Sequence, residues 1–467
     1  MNTLRKLLKN NNTKAGGFYL IGNLFNKAIA FFMVPIFTRL MSTTDYGIVN
    51  TYMSWVSILS LIVGLSLGSS IRSAYIDFKE DLDSYVSSIF FLSLINFVIT
   101  SSIIIILTYY YRERLDIVLV ILCLMQSYMT FIINSMDIRY MISMDYIRKT
   151  LLLSLPNIIT AILSIICLLN MEDNKYLGRI IPYVVVTSFV GTYYLIKSFY
   201  KGRKYIDFRY WKYAIKLSVP LIFHGLSINI LSNSDRTMIT LFRNASETGI
   251  YSLAYNFSMV ASVVTTSLES VWIPWFTQKL KDNKKKEINE AAKIYIEIVL
   301  VVMIGILMIG PEVLALISPE EYWSGKILIP PVVLASFFIF LYSISVDLEY
   351  YYKSTKIIAA NTFIAALVNL ILNFIFIPRY GALAASYTTV VAYIISFAIH
   401  YREARKLDSE LFPINIYIKP ILIIIFIVIS TYMLMDHGLE RWLILIIGFG
   451  LYVLFSIKNQ RFNKFIK

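Results

Sequence analysis

The chain has 467 residues, of which 58% are hydrophobic, 15% aromatic and 15% charged, with a net charge of +14 and a mean hydropathy of +0.67. That apolar content excludes a water-soluble fold of this length, and apolar runs of about 20 residues, rather than alternating segments of about 10, exclude an outer-membrane barrel. The two cysteines, Cys123 and Cys167, both lie in apolar runs, so neither a disulfide framework nor a Cys-based metal site is implied, and no cofactor motif is present.

In chain order, the first seventeen residues are polar and basic with no apolar core of a signal peptide, which keeps the N-terminus cytosolic. Fourteen spans follow, at roughly 17–40, 48–70, 86–108, 115–135, 150–170, 180–200, 214–240, 249–275, 292–318, 327–348, 357–377, 381–401, 414–434 and 439–457. Sorting the 43 Lys and Arg residues between alternate connections puts 32 on the side of the N-terminus and 10 on the other, with Lys27 inside a span. The positive-inside rule then predicts a multi-pass protein of the cytoplasmic membrane with both termini cytosolic. The basic stretches "YKGRKYIDFRYWK" and "QKLKDNKKK" fall on the cytosolic side, where anionic membrane lipids attract them, so nucleic acid is not needed as a partner.

Internal similarity divides the chain. "STTDYGIVNTY" (42–52) and "NASETGIYSLA" (244–254) are offset by 202 residues, and each follows the first span of its half. Six spans per half make the repeats parallel. The expected organisation is an N-terminal six-helix lobe (1–200), a basic cytosolic linker (201–213), a second six-helix lobe (214–406) and two additional helices with a basic tail (407–467).

"VPIFTRLMSTTDYG", "LSVPLIFHGLSINILSNSDRTMITLF" with "ETGIYSLAY", and "YGALAASYTT" at 380–389 resemble the signature regions of the Wzx-type oligosaccharide-lipid flippases, over roughly residues 10 to 410. This family belongs to the superfamily that also holds lipid II flippases and multidrug extruders. The resemblance implies an all-α integral membrane protein of about 14 helices: two six-helix lobes around a central cavity, plus two C-terminal helices. It also implies translocation of undecaprenyl-pyrophosphate-linked oligosaccharide from the inner to the outer leaflet, for surface polysaccharide such as O-antigen, capsule or exopolysaccharide. Other polysaccharide assembly proteins are expected partners.

The residues themselves supply candidate cavity linings. In span one, Asn23, Asn26, Lys27 and Ala30 recur at helical spacing. A charge there costs about 2.5–3.5 kcal/mol on insertion scales and calls for compensation, by an anionic substrate or by a carboxylate such as Glu269 or Asp235. Span two carries Asn50, Ser54, Ser57, Gly64, Gly68 and Arg72, small and polar residues that suit either a water-lined face or close packing. Span seven aligns Gly225, Asn229, Ser232 or Asn233, and Arg236; span eight aligns Tyr255, Ser258, Ser262, Thr265 and Glu269. By the helical rise, Arg72, Lys27, Arg236 and Arg39 form a cationic ladder from the cytosolic mouth to the outer rim, suited to a pyrophosphate, while Asn, Ser and Tyr suit the glycan. Glu269 and Asp235 are the expected ion-coupling carboxylates, with a counter-ion role as the alternative; Asp347 and Glu349 lie near the cytosolic end of span ten.

Other classes fit less well. A lipid II flippase shares the span count and basic cavity. A multidrug extruder usually has twelve spans and selects cations. A membrane polymerase or other enzyme needs a sizeable outer loop, but every outer connection is short, and His400 and His437 are placed at span ends. The expectation is a transporter, not an enzyme.

Overall fold

The computed structural model describes residues 11–110, 116–444 and 446–447, with side chains from Asn26 onward. Every regular element among them is helical. In chain order they are α1 (Asn11–Leu40), α2 (Thr43–Val63), a 3₁₀ turn (Leu67–Ser70), α3 (Ile71–Asp77), α4 (Leu82–Tyr110), α5 (Ile117–Ile142), α6 (Tyr146–Leu169), α7 (Lys175–Gly202), α8 (Phe208–Phe242), α9 (Ala245–Lys281), α10 (Lys285–Ile317), a second 3₁₀ turn (Glu320–Leu328), α11 (Ile329–Tyr351), α12 (Thr355–Leu407) and α13 (Asn415–Met433). Residues 438–444 and 446–447 are helical; the rest of the fourteenth expected span lies outside the described residues.

Ten of the described helices are long and apolar enough to cross a membrane. One of these, α12, has 53 residues and is interrupted at Gly381 (φ 60, ψ −141), a conformation glycine tolerates, so it supplies the two separate spans read from the sequence. The outward faces are apolar: Ile99, Phe189, Phe223 and Phe426 are each more than half exposed, which suits hydrocarbon and not water. All-α construction follows, because in lipid a helix satisfies its own backbone polar groups.

Side-chain caps set where several helices begin. Ser42 accepts from Asp45 N (3.1 Å), Asp116 from Val118 N (2.8 Å), Asp145 from Arg148 N (3.1 Å), and Asp207 from Arg209 N (2.8 Å) and Tyr210 N (3.2 Å). Each satisfies a donor that the first helical turn leaves without an intrahelical partner.

The chain divides into two compact units, residues 1–249 with 362–379, and residues 250–361 with 380–467. In the first, α5, α6 and α7 pack on one another, α2 packs on both α5 and α8, and α1 lies on α6. In the second, α10 packs on α11 and α13.

Span two differs from its sequence reading. It is not one helix over 48–70: α2 stops at Val63, Leu65 and Ser66 take left-handed conformations (φ 48 and 47), and a 3₁₀ turn leads into α3. Asn96 of α4 donates to Ile62 O (3.0 Å) and Val63 O (2.9 Å), satisfying carbonyls that the break releases. A Cβ on Gly64 would enter the Phe131 ring, and one on Gly68 would strike Ser135, so both glycines serve close packing against α5. The stripe is therefore split, with Asn50, Ser54 and Ser57 on α2 and Arg72 on α3 beyond the break.

Candidate functional site

The polar residues of the first unit form a connected row. Ser57 Oγ on α2 donates to Asn229 Oδ1 on α8. Asn229 Nδ2 bonds to Gly225 O (3.1 Å), and Asn233 Nδ2, one turn on, reaches Asn229 Oδ1 at 3.4 Å. Arg236 Nη1 donates to Asn233 Oδ1 and to Ser232 O, both at 3.2 Å. The i, i+4 and i+3 steps of α8 thus build one row, Gly225, Asn229, Asn233 and Arg236, as the helical spacing predicts. All three polar members of this row are half-buried, and Gly225 keeps the space beside Leu61, which its Cβ would meet at 3.3 Å.

On α1, Asn26 is held by α6: its Nδ2 donates to Ser154 Oγ (3.1 Å), and its Oδ1 accepts from Asn157 Nδ2 (3.3 Å). Lys27, the next residue, is half-buried about 100° round the helix. Arg39, in the last turn of α1, is exposed, as is Arg72 on α3. The side chain of Asn23 lies outside the described residues.

Asp235, adjacent to Arg236, is almost wholly buried (1% exposed) and accepts from Asn373 Nδ2 at 2.6 Å. Asn373 also donates to Asn369 Oδ1 (3.1 Å), to which Ser234 Oγ reaches at 3.5 Å. The two asparagines are wholly buried and come from residues 362–379 of α12, four apart on one face. The sequence reading did not include them, although their i, i+4 spacing in an apolar run was the available signal.

In the second unit, Tyr255, Ser262, Thr265 and Glu269 on α9 are all half-buried. The hydroxyls of Ser262 and Thr265 bond back to their own helix, to Met259 O (2.9 Å) and Ser262 O (3.3 Å). Trp272, one turn beyond Glu269, donates from Nε1 to Asp347 Oδ2 on α11 (3.1 Å). His400, expected near a span end, is wholly buried, with Nδ1 at 2.9 and 3.1 Å from the carboxylate oxygens of an equally buried Glu349.

A further cation lies in the first unit. Arg179 falls just before the expected start of span six, but α7 begins at Lys175, and Asp45 Oδ1 accepts from Tyr176 N (3.2 Å) at its first turn. Arg179 is thereby drawn into the helix. Its Nη1 donates to Ser164 Oγ (3.0 Å), and its Cζ stands 4.2 Å from the centroid of the Phe37 ring.

Residues 13–280, more than half of the chain, match the polysaccharide biosynthesis protein family. The chain belongs to this family. This polysaccharide biosynthesis protein is 21% identical to a protein of the Lsg locus of Haemophilus influenzae, over 75% of the chain and 87% of that relative. It is likewise 21% identical to the capsular polysaccharide biosynthesis protein CapF of Staphylococcus aureus, over 82% and 97%. Among solved structures, the lipid II flippase MurJ in its inward closed conformation superposes with a TM-score of 0.67 at 18% identity, covering 96% of the chain and 99% of MurJ. The polysaccharide biosynthesis protein therefore shares the all-α fold of MurJ, as the resemblance implied.

Proposed function

We propose that this membrane protein is a flippase that carries undecaprenyl-pyrophosphate-linked oligosaccharide from the inner to the outer leaflet of the bacterial cytoplasmic membrane, for the assembly of a surface polysaccharide. The observation that carries the reading is the hydrogen-bonded row from Ser57 through Asn229 and Asn233 to Arg236, which places amides and a guanidinium within a membrane protein of a polysaccharide biosynthesis family. Intramembrane polar groups are costly and mark substrate paths. The cations Lys27, Arg39, Arg72 and Arg236 serve the pyrophosphate; Asn23, Asn26, Asn229, Asn233, Tyr255, Ser262 and Thr265 serve the sugars. Guanidinium and ammonium groups suit phosphate oxygens, and amides and hydroxyls suit sugar hydroxyls. Asp235 and Glu269 serve ion coupling. Both termini face the cytosol, and the two sequence halves, 1–200 and 214–406, act as the transporting lobes.

A lipid II flippase is the second reading, favoured by the fold likeness to MurJ. Purified protein in proteoliposomes, loaded with labelled lipid-linked oligosaccharide or with labelled lipid II, separates the two. The proposal expects protein-dependent flipping of the oligosaccharide lipid in excess over lipid II. Preferential flipping of lipid II, or of neither, contradicts it.

A further inference from the structure

We propose that Arg179, with the hydroxyl of Tyr183, forms a binding site for an oxyanion of the transported lipid, between α1, α6 and α7; this rests on the flippase reading above. Among the described residues Arg179 makes one side-chain hydrogen bond, from Nη1 to Ser164 Oγ (3.0 Å), and lies over Phe37 (4.2 Å from Cζ to the ring centroid). Among the described residues no carboxylate lies within ion-pair distance of it. The acidic residue beside Tyr46, Asp45, is engaged elsewhere: it accepts from Ser42 Oγ (2.6 Å) and from Tyr176 N (3.2 Å).

A guanidinium has five N–H donors in a flat fork and cannot discharge itself by losing a proton, so placed between helices it needs an anion to match it. An aromatic face and a serine hydroxyl hold its position without neutralising it. Tyr183 follows Arg179 by four residues on α7, which puts both on one face, and its phenol brings an O–H donor. Arg179 as a residue is half-buried. A cationic fork joined by a hydroxyl donor is complementary to a phosphate or carboxylate. In a pyrophosphate-linked glycan the oxyanion is either the linker phosphate or the carboxylate of an acidic sugar.

The test uses the purified full chain in detergent, with a fluorescent analogue of farnesyl pyrophosphate as the probe. Native protein is expected to bind it, Arg179→Gln to weaken binding about tenfold or more, and Arg179→Lys to keep part of it. Displacement by inorganic pyrophosphate but not by glucuronate assigns the site to the linker, and the reverse assigns it to the sugar. Unchanged affinity in Arg179→Gln, whether or not its thermal midpoint falls, overturns the site, makes Arg179 a structural tie and leaves the flippase reading standing. Native protein that binds neither anion overturns both. Tyr183→Phe removes one hydroxyl only and decides the matter if Arg179→Gln does not fold: a weaker affinity supports the site, and an unchanged one overturns it.

Discussion

Gly47 and Gly249 lie backbone to backbone: a Cβ on Gly47 would fall 2.9 Å from Gly249 N, and one on Gly249 would fall 3.1 Å from Gly47 N. Each would also strike the carbonyl oxygen of the residue four before its partner, Ala245 O and Thr43 O respectively. Thr43 and Ser246 join alongside through their hydroxyls at 2.7 Å. The contact is reciprocal, and its two glycines are equivalent positions of the 202-residue repeat.

No backbone atom at this contact can move aside cheaply. Gly47→Val or Gly249→Val should therefore reduce the folded yield, since overpacking a tight contact costs about 1–3 kcal/mol or more. Size-exclusion profiles of solubilised protein measure the yield. Flipping per folded molecule should stay near native; normal yield with abolished flipping would instead make the contact a gate.

The Asp235–Asn373 bond buries a carboxylate with an amide donor. Asn373→Ala should destabilise the protein by about 1.5–3 kcal/mol, the usual cost of removing a hydrogen bond from a charged group. Asp235→Asn should fold yet lose the dependence of flipping on an imposed proton or sodium gradient. A variant that keeps the full dependence removes Asp235 from coupling.

Asp207 caps α8 and pairs with Lys204 at 2.6 Å in the basic connection before that helix. The Lys204 hydrogen bond, helped by the cap N–H groups, holds the Asp207 carboxyl below its ordinary value. Its contribution is thus present above the unfolded value near 3.9, and is lost as pH falls through the lower folded value. Asp207→Ala should cost about 0.5–2 kcal/mol at neutral pH, measured by thermal unfolding in detergent, and the difference from native should narrow below about pH 4.

Sidedness is open to direct labelling. With Cys123 and Cys167 replaced, single cysteines near Arg203 and Lys285 should react only from the cytosol. Those near Asn174 and Glu320 should react only from outside. Reversal of any of these positions breaks the fourteen-span topology.

The ten described helices long and apolar enough to cross a membrane were legible because hydropathy and length decide helices in lipid, and the 3.6 period correctly aligned Asn229, Asn233 and Arg236. The break after Val63 was not legible, since nothing local in "SLIVGLSLG" announces that Asn96, some thirty residues on, will satisfy the freed carbonyls. Arg179 was assigned to a loop because Asp45, 131 residues from Tyr176, extends α7 by supplying a cap in trans. The pairing of His400 was not legible because its partner Glu349 lies 51 residues away, on another helix. In each case a side chain distant in sequence supplied the deciding partner.

The most direct measurement is the flipping rate of labelled oligosaccharide lipid per folded molecule in proteoliposomes, for native protein, Lys27→Ala and Lys27→Arg. Lys27 is half-buried in α1, and under the proposed function it meets the pyrophosphate. Lys27→Ala should fold and lose at least about tenfold in rate, while Lys27→Arg keeps part of it, because a planar fork replaces a point charge. Poor folding of Lys27→Ala, rescued by Glu269→Gln or Asp235→Asn, would make the lysine a counter-ion. A well-folded Lys27→Ala that flips at the native rate would contradict the cationic path itself.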